Sequence, residues 1–371
     1  MSKTYYLDSN FSSQTPAEVW QMASDFQLQY RSDVESPYQR LACEEKTREA
    51  CRQIAKAIGA DGKDYIHTTA SHTQNILSIF HAIYKNFIYQ TGKNIVLLSS
   101  FDVETEKALQ SFTGLGCIIK KIAPNEKGQI TVKEIEKSLS PKTAFLSLPF
   151  ADPVTGIIYP IWEIGEYCRQ RGIFFHVEIT QVLGKMIFPF STLPVDFLSF
   201  DGKLLYGLAG IAICIIKKEL PISGIWRKKK ISDAPSLLVA LGFALQKISS
   251  LQEHVCLEIA RYKSAIEKKL ISKMPSTQIL FPNLEKLPNT SVIAFPGIHS
   301  EAMLYALQER GTHASLANLP AILSACPAFA HLSNQSVHFS YGLDLIEEDI
   351  EEIADRIYSA ATSLYTVSGV S

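Results

Sequence analysis

From residue 40 onward two hydrophobic patterns alternate along the chain. In stretches such as 42–59, apolar residues recur every three or four positions, the spacing of an amphipathic helix. Between such stretches stand short continuous apolar runs at 65–68, 94–98, 117–122, 144–148, 172–177 and 195–200. Apolar runs of strand length that do not alternate with polar residues, joined by helical segments, predict an α/β fold. Its sheet is expected to be mostly parallel and covered by helices on both faces. Local signals agree. Residues 125–128 read as a turn, Thr131 and Glu134 form a capping-box pair, and the helix they open ends near Ser140 and Pro141. After Lys218 the pattern changes to a long amphipathic stretch, 235–274, short strands at 291–295 and 336–341, and an acidic closing helix, 347–365. The expected organisation is an N-terminal arm (1–15), a large α/β domain (16–230), and a long connecting helix with a smaller C-terminal α+β domain (231–371).

Composition narrows the function. Thirty-six Lys plus Arg against 37 Asp plus Glu leave a formal charge of −1, which disfavours a nucleic-acid partner. The basic run Arg227-Lys228-Lys229-Lys230 is expected to be a solvated turn at the domain junction. The apolar stretch 208–216 is far shorter than the ~20 residues a membrane helix requires. Asp8 and Ser9 interrupt the opening residues before any signal-peptide core forms, so a cytoplasmic protein with no membrane partner is expected. Seven scattered cysteines without a C-x-x-C pair imply reduced, mostly packed thiols and no metal site.

In an open parallel sheet, ligands sit outside the carboxyl ends of the strands. Here those loops are 68–73, 99–102, 149–153, 178–181 and 201–203. The first is rich in small hydroxyl residues ahead of a helix. That pattern suits a phosphate site, although a hydroxyl residue before a helix is more often an ordinary N-cap.

The order of these loops resembles the class V aminotransferase family of pyridoxal-phosphate enzymes and, within it, the cysteine desulfurases. Tyr6-Leu7-Asp8-Ser9-Asn10-Phe11-Ser12-Ser13 is similar to the family's opening motif. Further matches are Thr155-Gly156-Ile157-Ile158-Tyr159-Pro160, Phe175-His176-Val177-Glu178 with Gln181 and Gly184-Lys185, and Leu205-Tyr206-Gly207. The resemblance implies a fold type I transferase with a mostly parallel seven-stranded sheet in its large domain, a homodimer, pyridoxal phosphate as cofactor, and a partner protein in sulfur transfer or iron–sulfur assembly.

It also assigns site positions, and several depart from the family pattern. Without gaps, Leu204 falls on the Schiff-base lysine and Lys203 on the histidine before it. A paired deletion and insertion would instead bring Lys203 into the catalytic place. Glu178 stands for the aspartate facing the pyridine nitrogen, and Glu104 for the ring-stacking histidine. Asp152 stands for the asparagine at the ring hydroxyl, while Gln181 is retained. Around the phosphate the resemblance places Ser71, His72, Asp201 and, from a neighbouring subunit, Ser232. Leu343 takes the position of the carboxylate-binding arginine, which no leucine side chain replaces. The segment 311–318, where a desulfurase carries its persulfide cysteine, contains none, and Cys326 is the nearest thiol. Two functions follow from these departures. One is a silent homologue of a desulfurase, and the other is an active pyridoxal-phosphate enzyme using Lys203.

Overall fold

The computed structural model describes residues 3–30, 36–60, 64–186, 189, 192–226 and 232–368. The basic run at 227–230 lies outside them. Twelve strands are described. They are β1 (Tyr5–Tyr6), β2 (Tyr65–Thr69), β3 (Ile95–Ser99), β4 (Ile118–Ile122), β5 (Thr143–Pro149), β6 (Phe174–Glu178), β7 (Phe197–Asp201), β8 (Ala212–Ile216), β9 (Gln278–Ile279), β10 (Thr290–Ala294), β11 (Thr312–His313) and β12 (Ser336–Ser340). Seven of them form one sheet in the order β2-β8-β7-β6-β5-β3-β4, in which only β8 runs against its neighbours.

The continuous apolar runs are explained by this placement. All five residues of β3 and of β8, and six of the seven of β5, are buried, because helices cover both faces. The edge strand β4 instead carries Lys120 and Lys121, charges that discourage edge-to-edge pairing. The stretch 208–216 supplies β8, a strand absent from the list of runs above. Its five buried residues return antiparallel to β7 after a turn in which Tyr206 (φ 57°) and Gly210 (φ 94°) are left-handed. The capping box is present: the Thr131 backbone N–H and hydroxyl both donate to Glu134 Oε2.

A second sheet, β9-β10-β12, is antiparallel. It packs with the helices Ser300–Glu309 and Asp349–Ser368 around Leu7, Phe295, Met303, Phe339 and Ile353. The 39-residue helix Pro235–Lys273 joins the two cores. Leu238, Leu241 and Leu245 belong to the core of the large sheet, whereas Ile259, Ile266 and Leu270 belong to the second. The N-terminal arm is tied to the second unit, since β1 pairs in parallel with β11 and the Asp8 backbone bridges to Ser340. Among the described residues no helix is long and apolar enough to cross a membrane.

Candidate active site

The carboxyl ends of four parallel strands open on one cleft of about 500 Å³. Ser99 ends β3, Pro149 ends β5, Glu178 ends β6 and Asp201 ends β7, and all four line it. The arm contributes Asn10 and Phe11, and the segment after β11 contributes Ala317 and Asn318.

Seven of the nine site residues named from the sequence line this cleft: His72, Glu104, Asp152, Glu178, Gln181, Asp201 and Lys203. Ser71 and Ser232 do not. Ser71 is the N-cap of the helix His72–Ile83, and its hydroxyl accepts from the Gln74 backbone N–H at 3.3 Å. Ser232 is buried, and its Oγ accepts from the Ala234 N–H at 3.0 Å. The resemblance had assigned Ser232 to a neighbouring subunit's site.

The cleft residues are mostly committed to holding loops. Glu178 accepts from both the backbone N–H and the hydroxyl of Thr180, and Thr180 Oγ1 in turn accepts from the Asp201 N–H at 2.9 Å. Burial pushes the Glu178 carboxyl above its ordinary range. Nearby His72 and the Thr180 bonds oppose that shift, while Asp102 adds to it. One oxygen of Asp152 accepts from the N–H groups of Val154 and Thr155 and from the Thr155 hydroxyl, an arrangement that builds its own turn. Burial raises the Asp152 carboxyl too, against those hydrogen bonds. Gln181 is used at both ends: its Nε2 donates to the Asn10 carbonyl at 2.8 Å, and its Oε1 accepts from Lys185 Nζ at 3.1 Å. Glu104 is exposed at the mouth, in the first turn of the helix Val103–Leu109 that Asp102 caps. Lys203 is exposed on the short turn after β7, with its backbone N–H bonded to Asp201 Oδ1 and Leu204 beside it on the cleft wall.

The lining therefore holds five carboxylates (Asp102, Glu104, Asp152, Glu178, Asp201) and one ammonium, Lys203. Two buried polar atoms on the wall lack a hydrogen-bond partner, His72 Nδ1 and Asn318 Oδ1. Among the described residues no three His, Cys, Asp or Glu side chains converge as metal ligands.

Residues 5–223 match the family described as aminotransferase class-V, more than half of the chain. The chain belongs to the class V aminotransferase family. Its relatives in that family include cysteine desulfurases. It is 27% identical over 343 residues to cysteine desulfurase IscS of Klebsiella pneumoniae subsp. pneumoniae, covering 88% of this chain and 83% of that protein. The corresponding protein of Enterobacter sp. (strain 638) is 27% identical over 326 residues, covering 83% and 79%. Among solved structures, a NifS-like protein superposes with a TM-score of 0.85 at 19% identity over 98% of this chain and 100% of that one. The NifS-like protein from Rickettsia africae ESF-5 gives 0.81 at 19% identity over 97% and 100%. These likenesses show the fold type I architecture that the sequence motifs implied.

Set within this class V aminotransferase fold, several features went unseen in the sequence. Asn10 is a fully buried hub. Its Nδ2 donates to the Pro153 carbonyl and to Thr290 Oγ1, and its Oδ1 accepts from Lys185 Nζ (2.8 Å) and Asn289 Nδ2 (3.1 Å). Its partners lie more than 140 residues away in the chain, so no local pattern announces them. Lys185 was legible only as half of a Gly-Lys match. Cys326 is fully buried beside Asp152, and burial with that neighbouring charge pushes its thiol up to about 11, the opposite of an activated nucleophile.

Proposed function

We propose that this chain is a silent homologue within the cysteine desulfurase branch of its family, a cytoplasmic homodimer that keeps the fold and does not perform desulfurase chemistry. The division into arm (1–15), large unit (16–230) and C-terminal unit (231–371) is part of this reading. The observation that carries it is the charge of the cleft. Pyridoxal phosphate, the cofactor of the family, brings a phosphate dianion and needs an amine for covalent attachment. Two features suit it: the N-terminus of the helix His72–Ile83 and the unpartnered His72 Nδ1.

Glu178 also keeps a carboxylate at the position that faces the pyridine nitrogen, and Gln181 is retained; the other residues do not fit the group. By the family resemblance Asp201 takes the place of a residue at the phosphate, where each carboxylate–phosphate charge pair costs about 4 kcal/mol at 4 Å and an effective dielectric of about 20. Lys203 is the lone ammonium against five carboxylates. Leu204 stands on the gapless lysine position, and Glu104 replaces an aromatic face with an anion. Such a protein would serve as a scaffold or regulatory partner in sulfur transfer or iron–sulfur assembly.

A second reading is favoured by one observation, that Lys203 lines the same cleft as Glu178. It makes Lys203 the attachment lysine of an active enzyme. Sulfide release separates the two. Purified protein given cysteine, a thiol reductant and added pyridoxal phosphate is expected to release sulfide at the rate of a protein-free control. Turnover above that control, lost in Lys203→Ala, would establish the second reading.

A further inference from the structure

Lys185 stands on the turn after β6, one layer behind the cleft wall. Gly184 (φ 80°) sets that turn against the long helix, where a Cβ would meet Ile248 Cγ2 at 2.4 Å, so the backbone that aims Lys185 is fixed by a residue without a side chain. The amine Nζ lies 2.8 Å from Asn10 Oδ1 and 3.1 Å from Gln181 Oε1, both neutral amide oxygens of residues that line the cleft. No carboxylate among the described residues forms an ion pair with it. A half-buried lysine whose hydrogen-bond acceptors are both neutral is drawn toward the free amine, because neutral contacts only partly repay the desolvation of the ammonium. Consistent with this, burial brings the amine down to about 7, against the opposing pull of Glu178. The other titratable group facing it is His338 on β12, itself held neutral by burial. A free amine at neutral pH is a nucleophile that an ordinary surface lysine is not.

We propose that Lys185 is a carbonyl-reactive amine, forming an imine with a small uncharged aldehyde or ketone that enters through the cleft. In the step, the nitrogen lone pair attacks the carbonyl carbon and forms the C–N bond. The carbonyl oxygen takes up the two amine protons and leaves as water, so no oxidant or reductant is consumed. The five carboxylates of the cleft repel anionic carbonyl compounds and set the class. The approach displaces Gln181 Oε1, the longer of the two contacts. Lys185 has this role with or without a cofactor in the cleft.

The test is reductive alkylation of the native protein with acetaldehyde and cyanoborohydride, which traps the imine as an ethylated amine located by peptide mass spectrometry. At pH 7, Lys185 is expected to be ethylated at least tenfold faster than any exposed lysine. In competitive labelling with acetic anhydride, which reads the free-amine fraction, its rate should level off above pH about 7 and that of half-buried Lys286 above about 8, while exposed lysines keep rising toward pH 10. Gln181→Ala, by opening the path from the cleft, should speed the reaction at Lys185. Lys185 left unmodified while exposed lysines react, or a pH profile like theirs, would overturn the proposal. An unchanged rate in Gln181→Ala would overturn entry from the cleft.

Discussion

Asn10→Leu is expected to lower the unfolding free energy by about 3–5 kcal/mol. The leucine would fill a similar volume, so the loss is not one of packing. It comes from the groups left behind. The Pro153 carbonyl loses its Asn10 donor, Asn289 Nδ2 keeps Ser9 Oγ and the Tyr341 carbonyl, and the Lys185 amine is left with Gln181 alone. Each buried polar group without a partner costs about 1–3 kcal/mol. The arm also loses the side chain that ties it to the loop after β5, the turn after β6 and the second sheet together. Urea denaturation reads this as a fall in midpoint at unchanged slope. A loss below about 1 kcal/mol would mean that the hub does not organise the cleft wall.

The second large effect is on acid stability. His338 is completely buried, with Nδ1 2.6 Å from the Val154 carbonyl and Nε2 3.0 Å from Ser340 Oγ. The first of these contacts assigns the proton to Nδ1, which leaves Nε2 to accept from the serine. Burial lowers the imidazole to about 4, the Val154 bond pulls the other way, and Lys185 adds to the lowering. Asp8, with Oδ1 4.0 Å from Nε2, is the facing carboxylate. The folded chain therefore resists a proton that the unfolded chain takes up near pH 6.5.

The contribution is fully present above pH 6.5, is lost as pH falls from 6.5 toward 4, and is constant below that, amounting to about 3 kcal/mol. Buried His176 acts in the same direction, whereas Asp196, raised to about 6 by burial, acts oppositely because its folded form takes up a proton early. The difference between two proteins isolates His338. His338→Gln is expected to be less stable than wild type at pH 7, and to lose about 3 kcal/mol less between pH 6.5 and 4. Parallel stability curves across that interval would show that the imidazole titrates normally.

Much of the fold could be read in advance because its information is local. The runs that became β3, β5, β6 and β7 are continuous apolar segments, and Thr131 with Glu134 forms its capping box from neighbours three apart. The strand β8 was harder, since 208–216 follows β7 through a left-handed turn at Tyr206 rather than through a helix. Seven of the nine named site residues share the cleft because the topology gathers strand ends, and strand ends were visible. Ser71 shows the limit of that logic. A hydroxyl ahead of a helix is more often an N-cap than a phosphate ligand, and here it caps. Asn10, Lys185 and the unpartnered Nδ1 of His72 were out of reach, because their chemistry is decided by burial and by partners from distant parts of the chain.

The central claim is that this cleft rejects the cofactor of its family, and pyridoxal phosphate titrated into the purified wild-type protein tests it most directly. The expected result is no new absorbance band near the visible edge and no cofactor retained after desalting. A saturable band that Lys203→Ala abolishes would contradict the account.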